Sequence, residues 1–383
     1  MDAMTHVGKG LQGRFTVLLC AVALLPGLGA DPLQDSWFTD KSGAYARVFQ
    51  SDADVPGSPV VSWIHPDGGT SQSTPTYAGI HEVSSTTSWL YIRTSGLGGH
   101  IMGPWYADAT RTTFFPGFPN NRAAIYRFPR VPVDPATVSP KTITADGAVG
   151  YFVNGVAMFD SRDDFSYSNG AMRDVPNGGE RWNRDAYVNE LLTFDAALAH
   201  QANGNYHYHS NPPALRYQLG DAVDYDPATH TYTENPVNLQ HSPILAWCSD
   251  GLPLYGPYGH DDPLDANSGV RRMISGFRIR AGLSTRGAWP AWATRLYGAA
   301  GLSFRVGPDV DASYPLGRYM EDNEYKGDVG MTLGVEFDLN EFNTRFCVTP
   351  AFPAGTWAYF TCIQPDGTPV FPYNMARAYF GDP

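Results

Sequence analysis

The stretch "GNYHYHSNP", Gly204 to Pro212, alternates two tyrosines with two histidines between a glycine and a proline. Alternation at period two is the mark of a strand, because successive side chains point to opposite faces. On a strand, His207 and His209 share one face and their rings can converge on one ion, while Tyr206 and Tyr208 turn to the other face and pack into a core or line a pocket. Two readings are therefore open. The segment is half of a metal site, or it is a half-buried strand whose histidines bond to backbone.

Two imidazoles alone bind a metal weakly, so further ligands are expected nearby. His200 precedes a turn-like "QANG" and can fold back beside the strand. His241 opens "HSPILAWCSDG", an apolar run that reads as a second strand able to pair alongside. Asp250 closes that run and is a candidate ligand, catalytic base or carboxylate orienting an imidazole. The next stretch, "DGLPLYGPYGH", holds Tyr255 and Tyr258 on a backbone stiffened by proline, and they are expected to line a pocket. "HDDPLDANSG" groups Asp261, Asp262 and Asp265, hard oxygen donors suited to calcium, without the spacing of an EF-hand.

The rest of the chain points to β structure. Forty glycines, 31 prolines and 13% aromatic residues fit many short strands joined by tight turns. "WLYIRTSG" and "AAIYRFPRV" read as strands, and "GAVGYFVNGVAMFDS" as a hairpin turning at Asn154-Gly155. "PAWATRLYGA", Pro290 to Ala299, is the expected helix, and Trp182 to His200 fits neither period. The expected fold is mainly β, a compact sandwich-like architecture with two packed β sub-regions and a few short helices. "VPVDPATVSP", Val131 to Pro140, separates a β region over 31–130 from a domain over 141–383 packed with it as one unit.

Residues 1–30 differ in character. Lys9 and Arg14 precede an apolar run, Phe15 to Leu25, which ends in small residues at Gly29 and Ala30. That order is expected of a cleaved signal peptide, so a secreted or periplasmic protein is anticipated, with no membrane span in the mature chain. Cleavage takes away Lys9, Arg14 and Asp2, a net +1, and moves the formal charge from −12 to −13. No basic patch offers itself to nucleic acid, and the partners to expect are an extracellular polymer or a small-molecule substrate. Cys20 leaves with the leader, and Cys347 and Cys362 bracket a Pro/Gly-rich loop and are expected to pair, with Cys248 left over. No G-x-S-x-G elbow, phosphate loop or dinucleotide fingerprint is present, and His81-Glu82 fails as H-E-x-x-H at Ser85.

"GNYHYHSNPPAL", "LRYQLGD", "HSPILAWCSDGLPLYGPYG" and "RFCVTPAFPAGTWAYF" together resemble the YHYH-domain family, which is named for its tetrapeptide. The likeness extends to "SGLGGHIMGPW", "SGVRRMISG", "YMEDNEY" and "FPY", most of the mature chain. The resemblance implies an exported, bacterial-type protein of poorly defined function. It carries His200, His207, His209, His241 and Asp250 onto motif positions, and adds His100 as a pocket residue. The chain departs from the pattern at Ala197 and Ala214, where relatives carry cysteine, and at Ala199-His200, where they carry Gly-His. A cluster of imidazoles without thiolates suits copper or zinc. The expected function is thus an exported metal-binding protein, as an enzyme or otherwise; the alternative is a non-catalytic envelope protein binding a polysaccharide or protein, with structural histidines.

Overall fold

The computed structural model describes residues 31–39, 43–176, 182–298 and 305–383. The expected signal peptide and Cys20 lie outside them. Residues 32–383 form one compact unit. Strand accounts for 29% of the chain against 12% helix, so the fold is mainly β, with several sheets and few short helices.

The largest sheet has eight strands: β1 (Gly150–Phe152), β2 (Ala157–Met158), β3 (Ala199–Ala202), β4 (Asn205–Tyr208), β5 (Ile244–Cys248), β6 (Pro253–Tyr255), β7 (Thr344–Cys347) and β8 (Thr356–Phe360). Their order across the sheet is β3-β4-β2-β1-β5-β6-β8-β7. Two tight turns set the registers that matter. Gly155, at φ +83°, closes the β1–β2 hairpin at the expected Asn-Gly. Asn203 and Gly204, both at positive φ, close β3 onto β4 and place His200 directly opposite His207.

β4 runs parallel to β2, so the β1–β2 hairpin lies between the YHYH strand and β5. A three-stranded antiparallel sheet of Ile80–Ser85, Trp89–Thr94 and Ala124–Pro129 contributes Leu90, Ile92 and Phe128 to the same buried apolar cluster as Phe152, Leu245 and Tyr359. A second buried cluster gathers Trp182, Trp289, Trp292, Phe277 and Tyr319. The expected helix spans Ala291–Tyr297 and anchors Trp292 in that cluster.

The expected Cys347–Cys362 disulfide is absent: Cys248, Cys347 and Cys362 are all buried free thiols. The register explains it. Cys347 stands opposite Thr356 at one end of the β7–β8 pair. The Cys362 thiol donates to Asn343 Oδ1 at 3.2 Å, beyond the other end. Four residues of strand, about 13 Å, separate Cys347 from Asn343. Bridged cysteines need Cα atoms within about 7 Å.

Candidate metal centre

His200, His207 and His209 converge. Each offers one nitrogen, and the three nitrogens lie within 4.8 Å of one another. β4 supplies His207, the residue after its last turn of pleat supplies His209, and the facing strand supplies His200 through the cross-strand register. All three rings are buried.

The partners of the opposite ring nitrogens decide which atoms point inward. His207 Nδ1 lies 2.8 Å from the Asn205 carbonyl, and His209 Nδ1 lies 2.7 Å from the Asp160 carbonyl. A carbonyl only accepts, so both Nδ1 atoms carry the hydrogen. His200 Nδ1 meets Thr193 Oγ1 at 2.7 Å. That hydroxyl donates its own hydrogen to the Glu190 carbonyl at 2.7 Å, so it accepts from His200. Every Nε2 of a neutral ring therefore presents a bare lone pair. His207 Nε2 and His209 Nε2 stand 3.0 Å apart, two acceptors face to face. Burial pushes the basicity of all three rings down, His200 and His207 well below the usual imidazole range, with the neighbouring imidazoles adding to the effect at His200 and His207. Neutral imidazoles with an anchored Nδ1–H are what a metal ion needs.

Glu190 completes the cluster. Its Oε2 lies 3.4 Å from His209 Nε2 and 3.7 Å from His200 Nε2. That oxygen is buried and accepts no hydrogen bond. Burial above all, then the charges of Asp163 and Asp185, raise its carboxyl to about 8. Ligands held about 2.1 Å from one ion sit about 3.0–3.5 Å apart, and these contacts are close to that range. The Phe159 ring stacks on His207 with centroids 3.9 Å apart and fixes its plane. The cluster lines a cleft of about 360 Å³ bordered by Phe115, Asp146, Arg162 and Asp164.

Several expected site residues stand elsewhere. His241 does not reach the cluster. Two strands, β1 and β2, intervene between β4 and β5, and three strand spacings amount to about 14 Å. His241 instead lines a separate cleft of about 590 Å³ with Tyr255. Asp250 is a structural carboxylate, accepting from Tyr359 Oη at 2.7 Å, Gly381 N at 2.9 Å and Leu252 N at 3.1 Å. Tyr206 and Tyr208 occupy the face opposite the histidines and are fully buried core residues that do not line the cleft. His100 sits on that same face, its Nε2 3.0 Å from the Tyr206 hydroxyl, which donates to Asp195 at 2.8 Å. Tyr258 donates to Glu234 at 2.6 Å.

The acidic loop does not form a calcium cage. Asp261 pairs with Arg271, and Asp262 and Asp265 accept from the backbone N–H groups of Leu264 and Asn267. Among the described residues, the histidine trio is the group that could hold a metal. Glu190, Thr193 and Asp160 were invisible to the histidine pattern. Glu190 ends the short helix Ala186–Glu190, and Thr193 ends the 3₁₀ turn after it, inside the segment that fits neither period.

The profile of the family described as "YHYH protein" matches residues 126–371, and the chain belongs to that family. No curated protein matches the chain. No solved structure matches it.

Proposed function

We propose that this member of the YHYH family is a metal-binding protein whose centre is built by the Nε2 atoms of His200, His207 and His209 with Glu190 beside them. The observation that carries it is the set of three Nε2 lone pairs turned toward one point, each fixed by an anchored Nδ1–H. Histidines serving only as core hydrogen-bonders have no reason to place two acceptors 3.0 Å apart. Imidazole donors with one carboxylate and no thiolate favour zinc or copper. Three imidazoles leave room for Glu190 and for a molecule entering from the cleft, the pattern of a reactive centre more than of a closed structural one. A divalent ion there would supply Lewis acidity and, as copper, one-electron chemistry. The chain's own part is to hold the imidazoles neutral and oriented and to keep an acidic group at Glu190 within reach. The basic, apolar and small-residue order of residues 1–30 supports export.

The test is metal analysis of residues 31–383 purified without a histidine tag. About one zinc or copper ion per chain is expected after loading, and almost none in the double variant His207→Ala, His209→Ala. Substoichiometric metal that the double variant does not lower further would sink the reading.

A further inference from the structure

A second group of buried polar atoms lies around His241, away from the metal centre and independent of it. Arg345, on β7, is 93% buried by its 7% exposure, yet no carboxylate pairs with it among the described residues. Its guanidinium donates to the His260 carbonyl at 2.7 Å and contacts Met273 Sδ at 3.0 Å, and its face lies over the Phe360 ring. The side chain also lies against the Cys347 thiol, and its Nε–H makes no well-formed hydrogen bond. His260, equally buried, leaves Nδ1 without a partner. The His241 and His260 rings stand 5.0 Å apart, and His241 packs 6.0 Å from the same Phe360 ring. His241 Nδ1 is tied to the Ser242 carbonyl at 2.8 Å, so its Nε2, buried and unpartnered, is an acceptor.

A buried, uncompensated cation is costly. The carboxylate beside His241 is committed elsewhere: Asp221 is taken by Arg216 at 2.6 Å and by the Ser242 hydroxyl at 3.0 Å. A water bridging these atoms would satisfy the hydrogen bonds and leave the charge. We infer that Arg345, His260 and His241 hold a small oxyanion that still carries a proton, of the size and chemistry of hydrogen carbonate. Such an anion accepts from Arg345 Nε–H and from His260, and donates its own O–H to His241 Nε2. His241 then separates the anion from the 590 Å³ cleft that it lines, which is the route of entry.

The experiment follows the thermal midpoint of the full chain at pH 8 and constant ionic strength, replacing gluconate by hydrogen carbonate. A saturable rise of about 2–4 °C is expected in the wild type and none in Arg345→Met. Chloride is expected to act more weakly, since it cannot donate to His241. A bound resonance from ¹³C-labelled hydrogen carbonate in the metal-free wild type gives a readout that depends neither on a variant folding nor on the metal centre. No saturable rise and no bound resonance, or an equal rise in Arg345→Met, overturns the site and leaves a buried water. An equal effect of chloride and hydrogen carbonate overturns the proton-bearing assignment. Neither outcome touches the metal reading, because His200, His207 and His209 lie on another part of the sheet.

Discussion

His207 and His209 meet through their Nε2 atoms at 3.0 Å, while their Nδ1 atoms are held by the carbonyls of Asn205 and Asp160. The two anchors lie on different segments, one on the YHYH strand and one just after β2, so the meeting of the rings belongs to the tertiary fold. It also makes the shell around the imidazoles testable apart from the imidazoles themselves.

Thr193→Val removes the acceptor that orients His200 with almost no change of shape. Metal affinity is expected to fall about 10–100-fold, the usual cost of losing such a partner. Competition against a chelator of known affinity measures it. Affinity equal to wild type would show that His200 needs no anchor.

Glu190 has a pH signature in the metal-free chain. Its folded-state value of about 8 lies above that of an unfolded glutamate, so the folded state binds the extra proton between the two values. The stability Glu190 contributes is therefore present below about pH 4.5 and is lost as pH rises toward about 8. Thermal midpoints of metal-free wild type should fall across that window more steeply than those of Glu190→Gln. Parallel profiles would contradict the assignment.

The cysteines predict a labelling pattern. All three described thiols are free and buried, so alkylation is expected to be slow in the native state and complete after unfolding without reductant. Mass spectrometry should find Cys248, Cys347 and Cys362 all modified. A protected Cys347–Cys362 pair would overturn the register described for β7 and β8.

Gly204 couples the turn to the site. It sits at φ +82°, and a Cβ there would stand 2.5 Å from Asn120 Oδ1 and 2.7 Å from Thr70 Cγ2. Gly204→Ala is expected to cost about 1–3 kcal/mol by combining backbone strain with that collision. Because the turn sets His200 against His207, metal affinity should fall with stability. Denaturant unfolding and metal titration of the same sample check both.

Period-two spelling was enough to put His207 and His209 on one face and Tyr206 and Tyr208 on the other, because strand geometry is local. The "QANG" turn likewise announced His200, since a two-residue hairpin fixes its own register. Glu190 could not be read the same way. Its helix is five residues long, too short to show a period, and its place beside His209 comes from packing. His241 stands away from the cluster for a related reason: its run leads into a strand, but adjacency in sequence does not reveal which strands lie between.

By itself, then, the amino-acid order determined the β character, the two tight turns, the alternation of the YHYH segment and the family. Only the tertiary structure decided that the β1–β2 hairpin inserts beside β4, bringing Asp160 to His209 and keeping His241 away. It also left Cys347 and Cys362 at opposite ends of one strand pair. The physical reason is common to all three. Strand order and inter-strand partners are set by non-local burial of apolar faces, which no short window of sequence encodes.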